Sequence, residues 1–171
     1  MKIRGGVDPG KQGYITIIID GNMIEFFEFP KIGKNVDLHS LDEIFKGIKD
    51  LGGDLLFIME DVHAIFGSSA KATFSFGHIV GALEVMLIAN SIPFVLVQPK
   101  KWQKEMWEGV PLQKKSSSTG KTKVTDTKAM SLIAAKRIFP NEDLRRNSRC
   151  KVAHDGKVDS LLIAEYARRN Y

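Results

Sequence analysis

The hydrophobic pattern opens with three short apolar segments separated by turns. Residues 3–7 form the first, residues 14–19 form an unbroken run rich in β-branched side chains, and residues 23–29 alternate between apolar and polar positions. The "DGN" at 20–22 is typical of a hairpin turn. This pattern predicts three consecutive antiparallel strands, of which the second is buried on both faces.

After residue 30 the pattern changes to an alternation of helices and strands. The elements it predicts are a helix around 41–48, a strand over 54–60, a helix over 69–89, a strand over 92–99, a short helix over 100–109, a flexible basic loop over about 108–124, a helix over 125–139 and a last helix within 151–169. Strands that alternate with helices require a sheet with parallel members. The sequence therefore predicts one α/β domain over 1–171, with a mixed five-stranded sheet and helices on both faces.

The predicted helix over 69–89 carries more apolar residues than one buried face accepts. Its apolar side chains include Phe74, Phe76, Ile79, Val80, Leu83, Val85, Met86 and Leu87. A second apolar face needs a second partner. We therefore expect a homodimer whose interface is built on residues 74–87.

The composition narrows the class of protein. With 43% hydrophobic and 26% charged residues, the chain has the make-up of an ordinary globular domain. Cys150 is its single cysteine, so a disulfide framework and a cysteine-based zinc site are excluded. Unbroken apolar runs are too short to span a bilayer, and the first ten residues lack the apolar part of a signal peptide. We expect an intracellular, cytoplasmic protein without a membrane partner.

Positive charge is concentrated in one segment. Residues 100–128 contain eight lysines against three acidic residues, which accounts for the whole net charge of +5. Such a segment favours contact with a polyanion, nucleic acid above all, although any one of these lysines also fits a plain solvated loop.

Acidic residues stand at positions that the fold brings together. Asp8 follows the first strand, and Glu60 ends the strand over 54–60. The carboxyl ends of parallel strands share one edge of a sheet, where sites form. Asp155 and Asp159 lie one helical turn apart and share a face of the last helix. Taken singly they have ordinary interpretations, such as a turn for Asp8 and a helix cap for Asp155.

Four carboxylates at one sheet edge repel each other unless a cation bridges them. Oxygen ligands suit Mg²⁺ or Mn²⁺, and the sequence has no set of His and Cys residues that competes for a softer ion. A carboxylate cluster that holds two such ions is suited to hydrolysis of a phosphodiester. Together with the basic segment, these acids indicate a nuclease.

Three blocks of residues resemble RuvC-type Holliday junction resolvases. They are "GVDPG" at 6–10, "MEDVHAIFGSSAKATFSFGHIVGALEVML" at 59–87 and "HDGKVDSLLIAEYARR" at 154–169, and the likeness extends to "VQPKKWQKEM" at 97–106. It is closest to the compact RuvC-like endonucleases of phages and large DNA viruses. The resemblance implies an RNase H-like fold and a homodimer. It also implies symmetric paired nicking of four-way DNA junctions, with two Mg²⁺ or Mn²⁺ ions per active site.

The resemblance assigns catalytic, metal-binding roles to three acids, Asp8, Glu60 and Asp159. In the best-known bacterial members the last two acids are three residues apart, and that position is Gly156 in this chain. We therefore predict Asp155 as the fourth acid. His154 is the fallback, because an imidazole can also bind a metal or transfer a proton.

Candidates for DNA contact come from the basic segment and from one loop. The lysines predicted to contact phosphates are Lys100, Lys101, Lys104, Lys121, Lys123 and Lys128. Phe66, in a loop after Glu60, is the aromatic residue predicted to wedge into an opened junction, with His63 as its rival. Trp102 and Trp107 are predicted to pack in the core or at its edge.

Three other functions stay open at this stage. An RNase H-like nuclease could act on flaps, forks or RNA–DNA hybrids in place of junctions. A nucleotide-binding ATPase of the actin or sugar-kinase type also begins with a β-meander, but needs two such domains, so no nucleotide cofactor is expected in 171 residues. A non-catalytic junction-binding protein has no use for acids that face DNA.

Overall fold

The strand and helix bounds agree with the hydrophobic pattern at most positions. The computed structural model describes residues 1–10, 12–62, 69–117 and 119–171. Along the chain the elements are β1 (Lys2–Asp8), β2 (Tyr14–Ile19), β3 (Met23–Glu28), β4 (Lys31–Ile32), β5 (Asn35–Val36), α1 (Leu38–Asp50), β6 (Asp54–Glu60), α2 (Ala70–Ala89), β7 (Phe94–Val97), α3 (Pro99–Met106), β8 (Lys114–Ser116), β9 (Lys123–Thr125), α4 (Thr127–Ile138) and α5 (Asp155–Asn170).

The central sheet has the strand order β3-β2-β1-β6-β7. β1, β2 and β3 pair antiparallel, whereas β6 is parallel to both β1 and β7. Every residue of β2 is buried, as expected from its unbroken apolar run. The predicted mixed five-stranded sheet is confirmed.

Helices cover the sheet on two faces and form two hydrophobic clusters. α1 and α2 pack on one face, against Phe57 and Met59 of β6. α3, α4 and α5 pack on the other face, against Ile18 of β2 and Ile58 of β6. Because side chains alternate along a strand, residues two apart share a face. Glu60 therefore lies on the same side of the sheet as Ile58, towards α5.

α5 lies unusually close to β1 because Gly6 has no side chain. A Cβ atom at Gly6 would lie 2.3 Å from the backbone nitrogen of Ala164 and 2.3 Å from the backbone oxygen of Ser160. A buried hydrogen bond of 2.7 Å between the hydroxyls of Thr16 and Ser160 ties the same helix to β2. The start of α5 is thereby fixed over the carboxyl end of β1.

α2 buries only one of its faces. Leu83, Met86 and Leu87 are buried against the sheet. The opposite face is exposed along its whole length, and we call it the α2 outer stripe: Phe74, His78, Gly81, Val85 and Ile88. The expectation that one face cannot accept all the apolar residues of this helix is confirmed.

The exposed apolar surface of α2 bears on the membrane prediction. By length and composition the helix could cross a bilayer, and only 22% of its most apolar stretch is buried. The sequence prediction considered unbroken apolar runs and so missed it. Buried core helices pass the same test, so this property alone is weak support for a membrane span.

Two hairpins were not predicted from the sequence. β4 pairs with β5, and β8 pairs with β9 inside the segment expected to be a flexible loop over about 108–124. Strands of two or three residues are too short to show a period of alternation. The flexibility of the basic segment stays a prediction. α4 begins after Asp126, whose side chain caps the helix by accepting a hydrogen bond from the Ala129 backbone.

We expect Gly6→Ala to destabilise the protein by at least about 2 kcal/mol, because the added methyl group would overlap the backbone of α5. Gly47→Ala is the matched control. No atom lies within 4 Å of the Cβ position at Gly47, and alanine favours the helix by about 0.5–1 kcal/mol. Urea denaturation of both variants checks this, and equal stabilities would contradict the close approach of α5 to β1.

Candidate metal centre

Asp8 and Glu60 lie side by side at the carboxyl edge of the sheet. β1 and β6 run parallel with Val7 paired to Met59, so the next residue of each strand reaches the same edge. Asp8 shares a face with Gly6, which contacts α5, and Glu60 shares a face with Ile58. Because side chains alternate along a strand, both carboxylates point to the α5 side.

α5 brings Asp159 to these two acids. Asp159 stands one turn after the start of α5, next to Ser160, whose backbone oxygen contacts the Gly6 position. The Oδ1 atom of Asp159 is buried and has no hydrogen-bond partner among the described residues. A buried carboxylate oxygen without a partner is costly, so this atom requires a proton or a cation.

The pKa values of the two aspartates show how closely the acids interact. Burial, followed by the charges of Asp159 and Glu60, raises the pKa of Asp8 to about 8, although the Gly10 backbone N–H lowers it. Burial raises the pKa of Asp159 to about 7; the Ser131 hydroxyl partly offsets this, and the charges of Glu60 and Asp155 add to it. The ionised form of each carboxyl group is therefore destabilised unless a positive charge lies beside it.

Glu60 is held by an indole. The Nε1 atom of Trp102 donates a hydrogen bond of 3.0 Å to Glu60 Oε1. Burial raises the pKa of Glu60, and the Trp102 hydrogen bond lowers it. The sequence prediction that Trp102 packs in the core is confirmed, since its side chain is 1% exposed. Its contact with Glu60 was not foreseen.

Asp155, the predicted fourth acid, lies at the rim of the group. It is exposed, and its carboxylate forms an ion pair with the Lys128 ammonium. Its charge raises the pKa values of Asp8 and Asp159. A Cβ atom at Gly156 would lie 2.7 Å from the backbone oxygen of Gln12 and 2.8 Å from Asp8 Oδ2, so a larger residue there would require the backbone to shift. The prediction of Asp155 as the fourth acid stays a prediction.

His154, the fallback ligand, caps α5 without a side-chain hydrogen bond. Its ring lies 4.8 Å from the ring of Tyr14, and Tyr14 is paired with Asp8 in the sheet. Nδ1 of His154 is buried without a partner in the described part of the chain. Burial lowers the pKa of His154, so the imidazole is neutral near pH 7 and can accept a proton or bind a cation.

The predicted lysines are all exposed, but they differ in distance from the acids. Lys128 stands at the rim of a cleft of about 400 Å³ that also includes Lys115, Ser131, Asp155 and Asp159. Lys115 forms an ion pair of 3.2 Å with Asp126 at the same cleft. Exposed lysines of α3 and of the β8–β9 hairpin complete the set: Lys100, Lys101, Lys104, Lys121 and Lys123. Phe66 and His63 lie outside the described residues.

A second polar network beside the acids was missed from the sequence. Arg146 Nε donates a hydrogen bond of 2.8 Å to Glu28 Oε2, and the Tyr14 hydroxyl donates one of 3.3 Å to the same oxygen. Burial and the Glu28 charge raise the pKa of Tyr14 to about 12. This network joins the segment before α5 to β3. Glu28 and Arg146 are more than a hundred residues apart in sequence, so no local sequence pattern predicts their contact.

A larger cleft, of about 740 Å³, lies away from these acids. It is lined by the β4–β5 hairpin and the first half of α2, with Phe74, Phe76 and Ile79 among its residues. The described residues that line it include neither a carboxylate nor a predicted catalytic residue, so we assign the chemistry to the acidic group.

No three His, Cys, Asp or Glu side chains within the described ranges are placed closely enough to hold a metal ion as they stand. Two of the acids have other partners: Asp155 forms an ion pair with Lys128, and Glu60 accepts a hydrogen bond from Trp102. What the structure provides is an electrostatically strained group of carboxylates on one face of a sheet edge.

The fold matches solved structures over nearly the whole chain, two of which are structures of Thermus thermophilus RuvC. Thermus thermophilus RuvC aligns with a TM-score of 0.58 over 98% of this chain and 96% of the other, at 15% identity. The structure titled "T. thermophilus RuvC in complex with Holliday junction substrate" aligns with a TM-score of 0.58 over 99% and 96% of the two chains, at 14% identity. This chain has the RuvC fold.

The RuvC fold confirms the RNase H-like architecture expected from the sequence. The match covers nearly the whole of both chains, so α1 to α5 and the five-stranded sheet all belong to it. No protein-family model and no curated protein sequence matches the chain. The closeness to phage and viral enzymes stays a prediction.

The stability of the protein without divalent cations should fall as the pH rises. The pKa of Asp8 is about 8 in the folded state against an ordinary value of 3.8, so the folded protein binds this proton more tightly than the unfolded chain. The favourable contribution is complete below about pH 4 and is lost as the pH rises through 8.

We therefore expect Asp8→Asn to stabilise the metal-free protein at pH 8 by on the order of 1–3 kcal/mol, within the limit of about 1.4 kcal/mol per pKa unit. The variant should show little gain at pH 4. Thermal unfolding in EDTA across this range measures it, with Asp50→Asn, an exposed acid at the end of α1, as the control. Equal behaviour of the two variants would contradict the electrostatic strain at Asp8.

Proposed function

We propose that the protein is a metal-dependent endonuclease that cuts branched DNA, with the four-way junction as its main substrate. The observation that carries this proposal is the gathering of Asp8, Glu60 and Asp159 on one face of the sheet edge of a RuvC fold. Hydrolysis of a phosphodiester is the chemistry for which such a group of carboxylates is suited.

The chemistry of these side chains fits a divalent cation, which would draw the carboxylates closer than they lie in the structure. The buried oxygen of Asp159 lacks a partner among the described residues, and the charges of Asp159 and Glu60 raise the pKa of Asp8. Carboxylate oxygens suit Mg²⁺ or Mn²⁺, two ions per site. When bound, these ions supply an activated water and offset the charge on the leaving oxygen. Asp8, Glu60 and Asp159 would hold them, and Asp155 joins as the fourth acid once it leaves Lys128.

The remaining polar groups of the cleft fit the substrate. The Lys128 ammonium stands beside Asp155 and Asp159, where it can bind the phosphate next to the bond that breaks. His154 is neutral near pH 7 and can accept a proton from the attacking water, or act as the fallback ligand in place of Asp155.

Exposed lysines outside the cleft provide further surface for the DNA backbone. Lys100, Lys101 and Lys104 lie on α3, next to β7, and Lys121 and Lys123 lie on the β8–β9 hairpin beside the start of α4. Contacts to phosphates give affinity without base reading. Recognition of branched DNA by shape is consistent with the junction complex formed by T. thermophilus RuvC.

The α2 outer stripe supports a homodimer. Phe74 is 78% exposed, Val85 65% and Ile88 66%, and an apolar stripe of this length is an interaction surface. A second copy of the chain covers it symmetrically and places two identical acidic groups on one junction. Symmetric paired nicks follow from that arrangement.

A nuclease that acts on flaps, forks or RNA–DNA hybrids uses the same acids and is the second candidate. A non-catalytic junction-binding protein is less consistent with the site, since acids buried at this cost weaken both stability and the attraction for DNA.

Cleavage should depend on Asp8. End-labelled four-way junction, fork, RNA–DNA hybrid and linear duplex are each incubated with Mg²⁺, Mn²⁺ or EDTA. We expect paired nicks in the junction with either ion and none with EDTA. Asp8→Asn should reduce the rate by at least about a hundredfold, because an incomplete site loses its geometry, while junction binding persists.

Asp50→Asn is the isosteric control for this assay and should cut like the unmodified protein. Normal cutting by Asp8→Asn would contradict the metal site. Preferred cutting of forks or hybrids would favour the second candidate, and binding without cutting under every condition would favour the non-catalytic protein.

The protein should be a dimer in solution at micromolar concentration, with twice the 19.1 kDa mass of one chain by light scattering. Val85→Glu places a charge in the proposed interface and should give the monomer mass, because an unpaired buried charge costs several kcal/mol. Ile32→Glu, at a site that is 69% exposed on β4, should remain dimeric. A monomer mass for the unmodified protein would contradict the proposal.

A further inference from the structure

Trp102 occupies a position from which it can control one of the proposed metal ligands. α3 begins at Pro99, directly after β7, and its first turn places Trp102 against α5 and Ile58 of β6. The side chain is 1% exposed. Its ring packs edge to face on that of Trp107, with the centroids 6.3 Å apart. The indole is therefore held in one orientation by its surroundings.

The polar end of this buried ring meets Glu60. Nε1 donates to Glu60 Oε1 at 3.0 Å, and an indole has one donor and no acceptor. A glutamate at a strand end has three rotatable side-chain bonds, whose freedom must be lost before a cation can be held. The bond to Trp102 fixes Oε1 and leaves Oε2 for the cation.

Trp107 shows that a buried indole in this cluster does not always find a hydrogen-bond partner. Nε1 of Trp107 is buried and has no hydrogen-bond partner among the described residues. Both rings belong to one cluster, with Trp102 in the first turn of α3 and Trp107 directly after its last residue. Among the described contacts, the indole of Trp102 reaches an acid of the site and that of Trp107 does not.

We propose that Trp102 is a positioning residue of the metal centre, which orients Glu60 through the indole N–H so that the free oxygen of Glu60 can bind the cation. The inference rests on the proposed function, because it takes Glu60 as a metal ligand. Hydrogen-bond partners of metal ligands typically contribute a factor of 10–100 to metal affinity.

Binding of Mn²⁺ alone, without DNA, tests the proposal. Trp102→Phe retains an aromatic ring and removes the donor, and we expect about tenfold weaker Mn²⁺ binding or more. Trp107→Phe is the matched control and should bind Mn²⁺ within about twofold of the unmodified protein, because its N–H has no partner to lose. Calorimetric titration measures both variants.

A double-mutant cycle separates failure of this inference from failure of the proposed function. If Trp102 acts through Glu60, Trp102→Phe has no further effect on Mn²⁺ affinity in the Glu60→Gln background. Loss of affinity in Glu60→Gln with none in Trp102→Phe would overturn the positioning role and leave the metal site intact. Unchanged affinity in Glu60→Gln as well would overturn the metal site itself.

A fluorescence measurement covers the case in which Trp102→Phe does not fold. The Trp107→Phe variant retains Trp102 as its single tryptophan, so its emission reports on this indole. We expect Mg²⁺ to shift or quench that emission at the concentrations where Mn²⁺ binds, and we expect no response when Glu60→Gln is added. If a cation is shown to bind and the fluorescence emission of Trp102 does not change, the proposal is overturned.

Discussion

Burial of carboxylates beside one another is the constraint that the rest of this structure serves. Loss of hydration is the main reason why the pKa of Asp8 rises to about 8 and that of Asp159 to about 7, and the charge of Glu60 adds to both shifts. Polar groups buried without partners destabilise the folded state. The cost of burying these acids is consistent with the cation proposed for the site.

The fold holds these acids together by contacts that are themselves apolar or uncharged. Gly6 lets α5 lie on β1, and the hydroxyls of Thr16 and Ser160 join α5 to β2. The clusters on the two faces of the sheet then fix each element in place. The strain of the site is thus offset by packing elsewhere, which is the usual arrangement at functional sites.

Site residues whose positions follow from the periodicity of a strand or helix could be predicted from the sequence. Asp8 and Glu60 end apolar strands, so strand order and alternation were enough to bring them to one edge. Asp159 followed from its place one turn into the last helix. Resemblance to a known family supported the same three acids. The three opening strands and the excess of apolar residues on α2 were predictable for the same reason, because both follow from periodicity.

Individual side-chain contacts that depend on how two elements pack could not be predicted. The bond from Trp102 to Glu60 depends on where α3 turns after β7, and a tryptophan with this contact looks the same in sequence as Trp107, which lacks one. The pairing of Asp155 with Lys128 depends on the packing of α4 beside α5. The position of Gly156 against Asp8 is visible only when the helix and the strand are placed in three dimensions.

The separation of the acids along the chain bears on how the protein is made. β1 must wait for α5, which is synthesised last of the elements described, before its second face is covered and Asp8 meets Asp159. Contacts between distant parts of a chain form slowly, and a nascent chain emerging from the ribosome exposes the unpaired face of β1 for most of its synthesis. A polypeptide that stops before α5 carries Asp8 and Glu60 without the third acid. The proposed group of three acids is therefore complete only after α5 has packed on β1.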